Sequence, residues 1–193
     1  AGSLQGEGSA ETKSLGESWS CFARSYEESY KGGHSYKVAN AQQARFNSPA
    51  VDGTIYEGTL KVKGQAGATF SLTGIATCSD VTTPGSYVYG YLDTYTDTAI
   101  ELTGGWDEFK FSFAFEGDTD AHTLVVHKAG TPREDDPTIS NFGGIAGFDF
   151  KVNLSAGAAY MDEFYIVAKQ SEAEELKTKF EKSKLVISND VND

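Results

Sequence analysis

Cysteine is nearly missing from this chain: Cys21 and Cys78 are the only two in 193 residues. Two are too few for a disulfide framework, and a chain of this length can bury a core without one. Whether they pair or stand as buried thiols depends on a Cα separation that spacing does not supply. Histidine is scarce as well. His34, His122 and His127 are too scattered for a metal triad, and no zinc-type spacing, P-loop or Gly-x-Ser-x-Gly nucleophile elbow occurs. Basic residues are outnumbered, 16 Lys and Arg against 28 Asp and Glu, for a formal charge of −12. That charge argues against nucleic acid and anionic membrane surfaces as partners, and against an acidic polysaccharide for the same reason. A neutral ligand fits better. No apolar run reaches membrane-spanning length, and the opening AGSLQGEGSAE is small and polar, so the chain reads as a mature or excised soluble piece.

Paired catalytic carboxylates are also hard to find. A glycosidase needs two across a cleft, whereas Asp162 and Glu163 are adjacent and would point to opposite faces of a strand. Glu134, Asp135 and Asp136 read as a solvated loop cluster with Arg133 as a local partner. The enzyme reading is correspondingly weak.

What is present is glycine, 21 residues of it, 12 % aromatics, and short runs that alternate apolar with polar between turn signals. This is the profile of one all-β sandwich or barrel with about nine or ten strands. Residues 1–16 read as a linker or a loosely fixed first strand. WSCFARSY (19–26), HSYKVA (34–39), IYEGTLKVK (55–63) and ATFSLTGIATC (68–78) read as strands, with 40–52 as a loop. In WDEFKFSFAFE (106–116) Phe109, Phe111, Phe113 and Phe115 alternate with Lys110, Ser112, Ala114 and Glu116, a row that belongs in the core. Each such ring contributes roughly 1.5–3 kcal/mol on burial. Trp106 at the entry of this strand reads as a cap on one end of the sandwich. HTLVVHK (122–128), GFDFKVNL (147–154) and AYMDEFYIVA (159–168) complete the strands, and the two-proline stretch between 129 and 144 reads as a loop. After Gln170 the pattern changes: Ser171 and Glu174 form a capping box, and Ala173, Leu176 and Phe180 a thin apolar stripe, which predicts a helix of about fourteen residues.

The most informative stretch is SYVYGYLDTYTD, 86–97. Tyr87, Tyr89, Tyr91, Asp93 and Tyr95 occupy one phase of a period of two, and Val88, Gly90 and Leu92 the other. Aliphatic residues belong in a core. Phenols suit a rigid surface that is apolar on the ring and polar at the tip. Sugars present flat C–H patches and hydroxyl edges, so such a row is a platform for a neutral glycan. Burying ~80 Å² per stacked ring gives ~2 kcal/mol, which after the cost of ordering the glycan leaves micromolar to millimolar affinity.

In order along the chain, GGHSYKV (32–38), GQAGATFSLTG (64–74), LTGGWDEFKFSFAF (102–115) and AAYMDEFYIV (158–167) resemble the landmarks of the family 4 and family 22 carbohydrate-binding modules, over about residues 17–168. The resemblance implies a jelly-roll β-sandwich of two antiparallel sheets whose concave face binds xylan or β-glucan. It also implies a secreted or cell-surface protein, with the module tethered to a glycoside hydrolase such as a family 10 xylanase. Its cleft aromatics match Tyr89 and Tyr91; Phe46 falls at a loop aromatic, His127 near a polar cleft residue, and Arg24 at a sugar-contacting arginine. Asp162 matches a ligand of a structural calcium, although the usual N-terminal Phe-Glu ligand pair is not evident.

The expectation is a non-catalytic, monomeric module, residues 17–169, followed by a helix and tail outside the sandwich at 170–193. It binds a neutral β-1,4-linked plant polysaccharide through Tyr87, Tyr89, Tyr91 and Tyr95, with Asp93 and His127 bonding hydroxyls and no catalytic cofactor. The alternatives are a jelly-roll glycan hydrolase or lyase, and an adhesin or assembly domain whose tyrosines meet protein.

Overall fold

The computed structural model describes residues 3–8, 19–20, 22–46, 55–92, 99–127 and 132–169. These hold fourteen strands: β1 Ser3–Gly8, β2 Trp19–Ser20, β3 Ala23–Ser25, β4 Ser35–Ala39, β5 Gln43–Phe46, β6 Ile55–Lys63, β7 Thr69–Asp80, β8 Tyr87–Leu92, β9 Ile100–Glu101, β10 Trp106–Asp118, β11 Thr123–His127, β12 Thr138–Ser140, β13 Phe142–Leu154 and β14 Ala158–Lys169. They form two antiparallel sheets. The larger runs β12-β11-β10-β6-β14-β4-β3, with β1 also paired to β14, and the smaller runs β2-β5-β13-β7-β8, with β9 paired to β7. Most neighbours, among them β6–β10, β6–β14, β4–β14, β5–β13 and β7–β13, are not consecutive in the chain, the wiring of a jelly-roll β-sandwich.

The phenylalanine row of β10 is buried as its spacing requires: Phe109, Phe111, Phe113 and Phe115 all lie in the core. They meet Phe70 and Phe150 of the opposite sheet, with Phe111 5.3 Å from Phe150 and Phe109 5.2 Å from Phe70 between ring centroids. These cross-sheet ring contacts hold the two layers together, at roughly 0.5–1.5 kcal/mol per pair beyond the area they bury.

Several segments differ from expectation, and the strands involved are short. The N-terminal segment is a strand, β1, whose Leu4 and Glu7 pair with Val167 and Tyr165 of β14. WSCFARSY is not one strand: β2 joins the smaller sheet through Trp19 and Phe46, while β3 joins the larger through Arg24 and Tyr36. The chain changes layers between Ser20 and Ala23, which a local period cannot reveal. The loop expected at 40–52 contains β5, and the one expected between 129 and 144 contains a 3-10 turn at Arg133–Asp135, β12 and the start of β13. The helix expected after Gln170 lies outside the described residues.

Candidate functional site

Across an antiparallel ladder, residues in register share a face, so the pairing shows what accompanies the tyrosines. Tyr87, Tyr89 and Tyr91 pair with Ser79, Thr77 and Ile75 of β7. Thr77, Ile75, Thr73 and Ser71 in turn pair with Gly147, Asp149, Lys151 and Asn153 of β13, and Asp149 pairs with Arg45 of β5. The alternate residues Phe70, Leu72, Ala76 and Cys78 are in the core, with Val88 packed against it. The tyrosine rows therefore lie on the outer face of the smaller sheet.

On that face Tyr87 and Tyr89 stand 51 % and 54 % exposed. Their neighbours on β7 are the reverse. Ser71, Thr73, Ile75 and Thr77 point away from the core, yet all four are buried. An outer sheet face of short polar side chains would ordinarily be wet; here this row, the floor of the face, is closed to water beside the exposed phenols of β8. Within the floor, the Asn153 amide donates from Nδ2 to Thr73 Oγ1 at 2.8 Å and to Ser71 Oγ at 3.2 Å. Thr77 Oγ1 is buried with no hydrogen-bond partner. The chemistry offered is ring stacking beside hydroxyl and amide groups, with Asp149 and Lys151 adding both signs of charge on the same face.

Asp93 and Tyr95 fall outside the described residues, and Tyr91 is placed by its backbone register alone. Phe46 pairs with Phe148, which pairs with the buried Ala76, so it takes the register next to the row that holds Arg45 and Tyr91. Two residues expected beside the tyrosines lie in the other sheet. Arg24 is on the edge strand β3, where its guanidinium contacts His34 Nδ1 at 3.2 Å. His127 is on β11, in register with Ala114, one residue out of phase with the buried Phe115, and so on the outer face of the larger sheet. Its ring is held between two carboxylates, Nδ1 by Asp136 and Nε2 by Glu116 at 2.6 Å, with Arg133 3.4 Å from the same Glu116 oxygen. His127 and the tyrosines thus lie on the outer faces of different sheets, whose edges meet where β12 runs close to β8. Thr77 and Asp149 were not singled out from sequence, because only cross-strand register sets them in the rows of Tyr89 and Tyr91; Asn153 lies further along the face, level with Ser71.

Elsewhere the larger sheet's outer face carries its own side-chain pairs, with Tyr30 47 % exposed. Trp106 meets Tyr30 edge-on at 5.8 Å, Lys61 lies 5.2 Å from the Tyr30 ring centre, and Glu108 pairs with Lys61 and Lys110.

Asp162 is buried at a bulge in β14, next to Glu163, whose φ of 48° is in the left-handed region. Its Oδ2 accepts the backbone N–H groups of Tyr30 and Lys31, and its Oδ1 that of Glu163. Among the described residues no group of three His, Cys, Asp or Glu is placed to hold a metal ion. In this structure Asp162 anchors the backbone of Tyr30 and Lys31 to β14.

Comparison with protein-family models and with curated proteins finds no match. Solved structures do match. The CBM22-1 xylan-binding domain of Paenibacillus barcinonensis Xyn10C superposes with a TM-score of 0.54 at 16 % identity, covering 88 % of this chain and 97 % of that one. The CBM22-1–CBM22-2 tandem domain of the same protein gives 0.51 at 15 % identity, over 88 % of this chain and 47 % of that one. The CBM22-1–GH10 modules of Clostridium thermocellum endo-1,4-β-D-xylanase 10B, complexed with xylohexaose, give 0.50 at 12 % identity, over 84 % of this chain and 28 % of that one. The chain has the β-sandwich fold of family 22 carbohydrate-binding modules and resembles them over most of its length.

Proposed function

We propose that this chain is a non-catalytic carbohydrate-binding module that takes a neutral β-1,4-linked plant polysaccharide, xylan first, along the tyrosine face. The observation that carries the reading is the contrast on one face: Tyr87 and Tyr89 half-exposed beside a buried floor of Ser71, Thr73 and Thr77. Exposing two phenols in register forgoes roughly 25 cal/mol per Å² of burial, which a stacked sugar ring recovers. A fold shared with xylan-binding domains supports the choice of xylan. By the same analogy the module is tethered to a glycoside hydrolase in a secreted protein, where tethering raises the effective substrate concentration and offsets modest intrinsic affinity.

Affinity gel electrophoresis on soluble xylan tests this directly. The wild type is expected to be retarded, and Tyr89→Ala to lose most of the retardation while its melting temperature stays within a few degrees. A folded Tyr87→Ala/Tyr89→Ala variant retarded like the wild type removes the proposal. Release of reducing ends by the purified chain would instead favour a hydrolase, and protein capture without glycan retention an adhesin.

A further inference from the structure

We infer that Thr77 is a ligand-contacting residue of the tyrosine face, and that its hydroxyl receives its hydrogen-bond partner from a ring-edge hydroxyl of the bound sugar. This deepens the carbohydrate-binding reading and rests on it. The starting point is a difference within one strand. Of the hydroxyls that β7 turns to the outer face, those of Ser71, Thr73 and Thr77 are buried. Asn153 bonds the first two; Thr77 Oγ1 has no partner. Its neighbours in register explain why. Gly147 has no side chain to offer, and Tyr89 stands 54 % exposed.

Leaving a buried hydroxyl unbonded costs about 1–3 kcal/mol, whereas valine fills the same shape without that penalty and suits a strand at least as well. Folding alone therefore gives no reason for threonine here. Two other buried side-chain oxygens among the described residues lack partners, Ser35 Oγ and Asp136 Oδ1. Ser35 lies on β4 of the larger sheet, and Asp136 lies just before β12 with its other carboxylate oxygen on His127. Thr77 is the one beside the stacking platform, with its Cβ about 5 Å from that of Tyr89 as cross-strand neighbours are. A sugar stacked on Tyr89 turns its edge toward the sheet, and Thr77 is the next residue across the ladder. At 2 % exposure the Thr77 hydroxyl is closed to water, so binding requires the side chains over it to move aside as the sugar stacks on Tyr89.

Threonine both donates and accepts, as a sugar hydroxyl does. The ligand class is thus a neutral glycan with an unsubstituted hydroxyl at that ring edge.

The test is titration calorimetry with xylohexaose and cellohexaose on wild type, Thr77→Val, Thr77→Ser and Tyr89→Ala, with ligand-free thermal melts of each. Thr77→Val is expected to melt at or above the wild-type temperature and to bind about tenfold more weakly, equivalent to about 1.4 kcal/mol. Thr77→Ser is expected to stay within about threefold of wild type, by the same scale. If wild type binds and Tyr89→Ala does not, undiminished affinity in Thr77→Val overturns this inference alone. So does a lowered Thr77→Val melting temperature, which would give the hydroxyl a folding role. A wild type that binds neither hexaose overturns this inference and counts against the β-1,4-glycan reading as well.

Discussion

Gly58 of β6 lies directly beneath the ring of its cross-strand partner Phe111: a Cβ on Gly58 would stand 2.0 Å from Phe111 Cζ. The ring is held from other sides by Phe113 and Phe150, so it cannot simply step aside. Gly58→Ala is expected to destabilise the fold by about 3 kcal/mol through overpacking. Urea denaturation measures this, with Gly33→Ala, where an added Cβ meets nothing within 4 Å, as a control expected to change stability by under ~0.5 kcal/mol.

Asp162 anchors the segment at Tyr30 and Lys31 to β14 by accepting their backbone N–H groups while buried. Asp162→Ala leaves those donors without their acceptor, and hydrogen bonds to a charged group are worth about 1.5–3 kcal/mol each. A loss of about 3 kcal/mol is expected by the same measure. Because Tyr30 packs edge-on against Trp106, a shift in tryptophan emission should accompany it.

His127 and Asp136 form a pair in which the Asp136 side chain is only 2 % exposed. Removing one partner of a buried pair strands the other, so His127→Ala is expected to cost about 3 kcal/mol. It should leave xylan retardation unchanged, because His127 faces away from Tyr87 and Tyr89. Lost retardation in a folded His127→Ala chain would put the binding face on the larger sheet.

The His127 hydrogen bond, helped by charge attraction to His127 and Arg133, holds the Glu116 carboxyl below its ordinary value. A depressed carboxyl stabilises the fold above the ordinary carboxylate range and loses that contribution as pH falls through its folded value. Glu116 is largely solvent-exposed, so the effect is small. Glu116→Gln should therefore flatten the acid limb of a stability–pH curve slightly and leave the neutral region little changed.

Cys78 is a free, fully buried thiol whose burial pushes its pKa from 9.0 up to about 11. The folded state favours the protonated form, so this contribution is complete below pH 9.0 and is lost as pH rises toward about 11. Thiolate is the reactive species. At pH 8 a disulfide reagent should fail to label Cys78 in the native chain and label it promptly in urea; prompt native labelling would contradict the burial.

The alternation of Phe109 to Phe115 and of Val88 against Tyr87 and Tyr89 was readable in advance, because a period of two is a property of neighbouring residues. From it came the all-β class, the row that fills the core and the strand that shows its phenols. Pairing joins residues far apart in the chain, and no local pattern contains it. Hence the split of Trp19–Tyr26 between two sheets, the strand inside 40–52, and the reason for a glycine at 58 were not visible beforehand. The same holds for the site: composition and alternation by themselves determined a β-sandwich with Tyr87 and Tyr89 on the exposed phase of a strand. Only the tertiary structure decided that Thr77 and Asp149 share rows with those tyrosines while His127 and Arg24 lie in the other sheet. Strand order sets which residues share a face, and it comes from burying both inner faces at once.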